Sequence, residues 1–185
     1  LVQLQEDLDR QYMHPLWQEY PVAHTVNIAL INGGESASRV PSACTVSGLV
    51  GCIAGESLED VHRWVEDVVT SVTESDPWLQ AHPPVLRWAQ TMQFEPSASA
   101  LGGRFFEIAE ACSRDILDSY QTPRAFTAVS DLRYFLDHPG AVGANFGPGD
   151  IKQAHAYDES VEFEEIVKAC KIAARFIERW TNSDR

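Results

Sequence analysis

The stretch Phe146-Gly147-Pro148-Gly149-Asp150-Ile151-Lys152-Gln153-Ala154-His155-Ala156-Tyr157-Asp158-Glu159 decides how this chain is read. Before it, residues 141–146 form a short apolar run with the composition of a buried strand. Gly147-Pro148-Gly149 ends that run, because proline cannot donate to a ladder and glycine accepts turn conformations. A polar loop carrying His155, Asp158 and Glu159 follows, and then a long amphipathic helix. Strand, sharp turn, polar loop and helix is the order in which α/β proteins present chemistry at the carboxyl ends of strands. A histidine placed there is a candidate metal ligand or proton carrier, with a plain, partly exposed loop histidine as the alternative.

Working outward, the residues just upstream repeat this pattern. Residues 101–119 read as a helix with apolar positions 105, 106, 108, 109, 112, 116 and 117. A short buried strand is expected at 125–129. It runs into Ser130-Asp131, continues through 133–136 and turns at Asp137-His138-Pro139-Gly140. Strand alternation would put Asp131 and Arg133 on one face. An Arg fork there suits a carboxylate, and a structural Asp–Arg pair explains the spacing equally well. Downstream, residues 161–180 form the last helix, with Val161, Ile166, Ala169, Cys170, Ala173, Phe176, Ile177 and Trp180 expected inward. Helix, strand, strand, helix is what half of a larger α/β domain would contribute. Glu164-Glu165 falls off the apolar stripe and reads as a solvated helix face.

The first half of the chain has different patterning. Residues 1–12 have helical spacing at 1, 4, 8 and 12, and His14-Pro15 breaks the helix. Strands are expected at 24–31 and 43–53, joined through Asn32-Gly33-Gly34 and entered at Val40-Pro41. Ser57 and Asp60 resemble a capping box, ahead of an apolar helical face at Val61, Trp64, Val65, Val68, Val69 and Val72. Ser75-Asp76-Pro77 stops the helix, residues 78–82 read as loop, and 85–94 have strand composition. Helices layered on a small antiparallel sheet make an α+β domain. The small, polar residues 95–100 read as a hinge, so the domains are placed at 1–96 and 97–185.

Composition excludes several function classes. The 185-residue chain carries 14 Lys+Arg against 27 Asp+Glu, and a net charge of −13 argues against nucleic acid or an anionic membrane as partner. It has no apolar run of transmembrane length and no visible signal peptide. Cys44, Cys52, Cys112 and Cys170 form no Cys-x-x-Cys pair and read as small buried hydrophobes. A Cys44–Cys52 disulfide is a minor alternative. Sparse cysteines suit a reducing cytoplasm. The chain opens at Leu1, inside a helix and without Met, and reads as a fragment, a truncation or a processed product. His14, His24, His62, His82 and His138 lack paired ligand spacing and read as surface or satisfied histidines. No phosphate loop, Ser-His-Asp order or nucleophilic cysteine context is evident.

Taken together, the motifs resemble the M20 family of zinc-dependent aminoacylases and peptidases. Gly147-Pro148-Gly149 with Ala154-His155 and Asp158-Glu159 resembles its C-terminal signature. Val129-Ser130-Asp131-Leu132-Arg133-Tyr134-Phe135 resembles its Thr-Asp-x-Arg-Tyr strand, with Ser130 in place of Thr. Val26-Asn27-Ile28-Ala29, Ile31-Asn32-Gly33-Gly34 and Val40-Pro41 resemble the Asn-x-Gly-x-Ile-x-Gly-Gly…Val-Pro pattern of its lid. The resemblance implies a lid or dimerisation domain over 1–96, with its first strand missing, followed by the C-terminal part of an α/β catalytic domain. It implies His155 as a metal ligand, and Asp131, Arg133, Gly147 and Gly149 as substrate-binding residues.

The resemblance further implies two zinc ions per intact subunit, with cobalt as a substitute, and a homodimer formed through the lid. The substrate would be a small N-acyl amino acid or peptide, cleaved by metal-activated water. The region of Asn27 and the Gly-Pro-Gly-Asp form of the loop lean towards an acetylornithine deacetylase-like member. The family's other metal ligands and its Glu base have no counterpart here, so the catalytic residues would lie outside this chain. The chain alone is expected to be inactive and to retain no zinc. The alternative is a stand-alone dimerising module without catalysis.

Overall fold

The computed structural model describes residues 2–11, 14–18, 20–120 and 122–182, with the side chain of Val2 excepted. Two compact units divide the chain, Leu1–Ser97 and Ala98–Arg185.

Unit 1 begins with helix α1, Val2–Gln11, whose Leu4 and Leu8 are buried one turn apart. Positions 1 and 12 of the expected apolar stripe lie outside the described residues. Strands β1, Val26–Gly33, and β2, Cys44–Val50, form an antiparallel pair. The register shifts between Ile28 and Leu30, which leaves Ala29 as a bulged residue. The bulge keeps Val26, Ile28 and Ile31 on the face they share with Val46 and Val50. Gly48 is required opposite the bulge, because a Cβ there would collide with the Asn27 carbonyl oxygen.

Helix α2, Leu58–Ser75, starts as its sequence predicts. Ser57 Oγ accepts the Asp60 N–H at 3.2 Å, and Asp60 Oδ2 accepts the Ser57 N–H at 3.0 Å. The Ser57 hydroxyl, then the Arg63 guanidinium, hold the Asp60 carboxyl below its ordinary range. Val65 packs with Leu4 and Leu8, and Val50, Trp64, Val68, Val69 and Trp88 surround that cluster. Val72 is exposed, contrary to expectation. The expected loop at 78–82 is mostly a short helix, α3, Pro77–Ala81, capped by Asp76 Oδ1 accepting from Trp78 and Leu79.

One polar cluster lies inside this unit. His24 is fully buried. Its Nδ1 stands 2.9 Å from Asp9 Oδ1 and its Nε2 2.7 Å from Glu56 Oε1. Asp9 Oδ1 also accepts the His24 N–H at 2.8 Å, and Glu56 Oε2 accepts the Ile53 N–H at 2.8 Å. One imidazole therefore ties α1, the approach to β1 and the loop before α2. This is the satisfied-histidine reading, with partners 15 and 32 residues away.

Unit 2 is built on helices α4, Gly103–Leu117, and α6, Phe163–Asn182, with α5, Leu132–Leu136, between them in sequence. Phe105 meets Phe176 at 5.1 Å between ring centroids, and Phe176 stacks on Trp180 at 5.8 Å. Asp115 Oδ2 accepts from Arg175 at 3.0 Å and Arg179 at 2.6 Å. Phe106, Cys112 and Ile172 are buried.

Several expectations are corrected here. Residues 85–94, 125–129 and 141–146 carry no strand ladder, and 133–136 belong to α5 rather than to a strand. The sheet therefore has two strands. Strand composition describes a side chain suited to a pleated surface, but a ladder also needs a second backbone. Phe126, Val129, Val142 and Phe146 stay exposed. The α6 stripe is also only partly inward. Ile172, absent from the expected face, is buried, while Ile177 is 62% and Trp180 40% exposed. Cys44 and Cys170 are exposed rather than buried, all four thiols are free, and burial, then Glu56 and Glu95, pushes the Cys52 thiol up to about 11.

Replacing His24 with Ala should cost unit 1 about 2–4 kcal/mol, because it strands two largely buried carboxylates. Replacing the exposed His138 should be nearly neutral. Chemical denaturation of the two variants checks this.

Candidate functional site

The site residues named from sequence all lie in unit 2, in the segment between α4 and α6. His155 sits just past a 3-10 turn, Ile151–Gln153, and is exposed. Its φ of 65° is in the left-handed region, which costs a non-glycine residue roughly 1 kcal/mol. Its backbone N–H donates to Glu159 Oε2 at 3.2 Å, so Glu159 holds the main chain of His155. The Gln153 side-chain oxygen accepts from the Ser160 N–H at 3.1 Å and closes the far side of the loop.

The Gly147-Pro148-Gly149 turn is anchored from the last helix. Glu165 Oε2 accepts the Gly149 N–H at 3.0 Å, so one member of the Glu164-Glu165 pair does more than face solvent. Gly149 has φ 90°, a conformation that side chains resist. Gly147 has open space where a Cβ would stand and no such backbone demand.

Asp131 and Arg133 do not share a face. Asp131 is the residue before α5 and Arg133 lies in that helix. Two residues apart on a helix point in different directions, whereas strand alternation would have aligned them. The Asp131 side chain is 86% exposed and that of Arg133 14%. The Arg133 guanidinium donates to the Ser130 carbonyl and the Tyr134 hydroxyl, both at 2.9 Å, and lies 4.3 Å from the Tyr134 ring centroid. Its nearest Asp131 oxygen is 3.6 Å away. Asp131 thus presents an open carboxylate beside a guanidinium held by its own turn.

Sequence reading did not name the contacts that bring these stretches together. The Ser130 hydroxyl donates to Asn145 Oδ1 at 2.7 Å, and the Gly143 N–H donates to Ser99 Oγ at 3.1 Å. Asn145 was legible only as a polar residue interrupting the apolar run at 141–146.

A zinc ion bound by protein needs three or four such ligands. Among the described residues no three His, Cys, Asp or Glu side chains stand together in a way that could hold a metal ion. His155 is one donor, so the residues described do not fit a zinc ion by themselves. In unit 1 an open cleft of about 180 Å³ lies between Glu56, Asp60, Trp64 and His14, and contains none of the metal- or substrate-site residues named from sequence. Among the described residues no helix is long and apolar enough to cross a membrane.

Comparison with known proteins bears on the same stretches. Residues 17–179 match the family described as Peptidase family M20/M25/M40, and the chain belongs to it. The N-formyl-4-amino-5-aminomethyl-2-methylpyrimidine deformylase of Bacillus subtilis (strain 168) is 28% identical over 175 residues, covering 86% of this chain and 39% of that protein. The acetylornithine deacetylase of Myxococcus xanthus is 28% identical over 177 residues, covering 96% of this chain and 42% of its own length. That of Vibrio cholerae serotype O1 (strain ATCC 39541 / Classical Ogawa 395 / O395) is 26% identical over 188 residues, covering 97% and 44%. The chain thus spans about two fifths of the length of these curated relatives.

Replacing Gly149 with Ala should destabilise unit 2 by about 1–2 kcal/mol, since the left-handed backbone strains any Cβ. Replacing Gly147 with Ala should change stability by less than about 0.5 kcal/mol. Thermal unfolding of the pair reads the difference.

Proposed function

We propose that this M20/M25/M40-family chain is part of an amide hydrolase that removes a small acyl group from nitrogen. The family match over residues 17–179 carries the reading, because it runs through both the Ser130-Asp131 and the Gly147–Glu159 stretches. The printed names of the relatives, a deformylase and deacetylases, support a short N-acyl substrate, an N-acyl amino acid or peptide in the broader form.

Within that reading residues 1–96 act as a lid and 97–185 as the C-terminal portion of the catalytic domain. Asp131 and Arg133, with the Gly147 and Gly149 turn, meet the substrate. Asp131 is the accessible member, and its carboxylate suits an amine or an amide N–H. His155 supplies one ligand to zinc, and its exposure leaves the ring open to an ion. The other ligands and the base come from elsewhere in the enzyme. The exposed apolar face of the β1–β2 hairpin, Ile28, Ile31 and Val46, supports pairing of two subunits through the lid. Four free thiols suit a reducing compartment, and we place the enzyme in the cytoplasm. No observation favours a stand-alone dimerising module.

The test compares this chain with the full-length protein that carries it. With zinc, the full-length protein should release formate or acetate from N-acyl amides. Its His155→Ala variant should lose activity and bind zinc at least about 10-fold more weakly, the lower end of what losing even an outer-shell partner of a ligand costs. The chain alone should bind no stoichiometric zinc. Tight zinc binding by the isolated chain, or full activity in the His155→Ala protein, would contradict the assignment.

A further inference from the structure

Two stretches carry the candidate site, and one hydrogen bond between side chains joins them. The Ser130 hydroxyl donates to Asn145 Oδ1 at 2.7 Å and accepts the Leu132 N–H at 3.2 Å. The Ser130 carbonyl accepts from Arg133 at 2.9 Å. Ser130 therefore fixes the turn that flanks Asp131 and, through the same hydroxyl, grips the residue two positions before Gly147. The stretches are in close contact, since a Cβ at Gly143 would stand 2.7 Å from Leu132 Cδ1.

The chemistry of Asn145 is out of place for its neighbourhood. It interrupts Ala141-Val142-Gly143-Ala144 and Phe146, where an apolar residue would serve packing and strand propensity better. Among the described residues neither stretch pairs with the other through a backbone ladder, so strand pairing does not link them directly. The Ser130–Asn145 bond is then the direct polar link between them.

We infer that Ser130 and Asn145 are positioning residues whose hydrogen bond sets the register of the Asp131–Arg133 turn against the Gly147–Gly149 turn. The inference rests on the reading that these two turns frame a substrate. Losing the bond lets the turns drift apart, so the substrate's polar end is held less well while the reacting groups stay intact.

The experiment uses the full-length protein with four variants: Asn145→Leu, Ser130→Ala, the double variant and Ser130→Thr. Asn145→Leu and Ser130→Ala should each raise KM about tenfold for an N-acetyl or N-formyl substrate, with kcat within about twofold. The double variant should be no worse than either single one, because both act through one bond. Ser130→Thr, which keeps the hydroxyl, should restore KM. Unchanged KM in the single variants, or effects that add in the double, would overturn the inference.

Hydrogen exchange gives a readout independent of activity. If the wild-type protein hydrolyses no N-acyl amide, the functional reading fails, and exchange then decides the register alone. Either single substitution should speed exchange in peptides covering both 130–136 and 145–150, about tenfold for loss of one ordering hydrogen bond. Faster exchange in one peptide only, or in neither, would overturn the proposal. Asn145→Asp keeps an acceptor oxygen and should leave both readouts near wild type, which keeps the test decisive if Asn145→Leu does not fold.

Discussion

A β-strand exists only where a second backbone answers its N–H and C=O groups, and this constraint organises the whole structure. β1 and β2 meet it for each other through seven paired positions and a bulge. The stretches at 85–94, 125–129 and 141–146 have the side chains of strands, yet no ladder forms on them. The consequence is visible in their burial. Val85, Phe126, Val129 and Phe146 are exposed, although each would gain by leaving water. Helix α6 shows the same thing in helical form. One side packs on α4 through Ile172 and Phe176, while Phe163, Ile166 and Ile177 remain uncovered. Unit 2 thus leaves its strand-like stretches and one side of its last helix uncovered among the described residues.

What was legible in the sequence is local or short in range. α2 was legible because its start is written in Ser57 and Asp60 and its inner face in Val61, Val65 and Val68. The strand pair was legible because alternation is a local signal, although Asn32 and Gly33, read as the turn, are the last paired residues of β1 and the connection follows them; Leu4 and Leu8 follow from helical spacing. Other features depended on distant partners. The residues from Leu132 to Leu136 are apolar enough for a strand, but with no ladder to join they close into a helical turn begun by Ser130. Asp131 and Arg133 parted company for the same reason. The grip of His24 on Asp9 and Glu56 could not be read from sequence, because nothing local marks which carboxylates will be neighbours.

In unit 2 the site is held by side chains bonding to backbone rather than by sheet. Glu165 takes the Gly149 N–H, Glu159 the His155 N–H and Gln153 the Ser160 N–H. Such bonds fix a loop without fixing the platform under it. The family of the chain, the open carboxylate of Asp131 and the strained backbone of His155 all suit a hydrolase site. In the reading proposed above, strands and metal ligands from elsewhere in the enzyme complete the sheet and the chemistry together.

The most direct measurement is amide hydrogen exchange over residues 125–129 and 141–146, in this chain alone and in the full-length protein. The account predicts rapid exchange in the isolated chain and strong protection in the full-length protein, where a neighbouring strand accepts those N–H groups. Equal protection of these residues in both, or none in either, would contradict it.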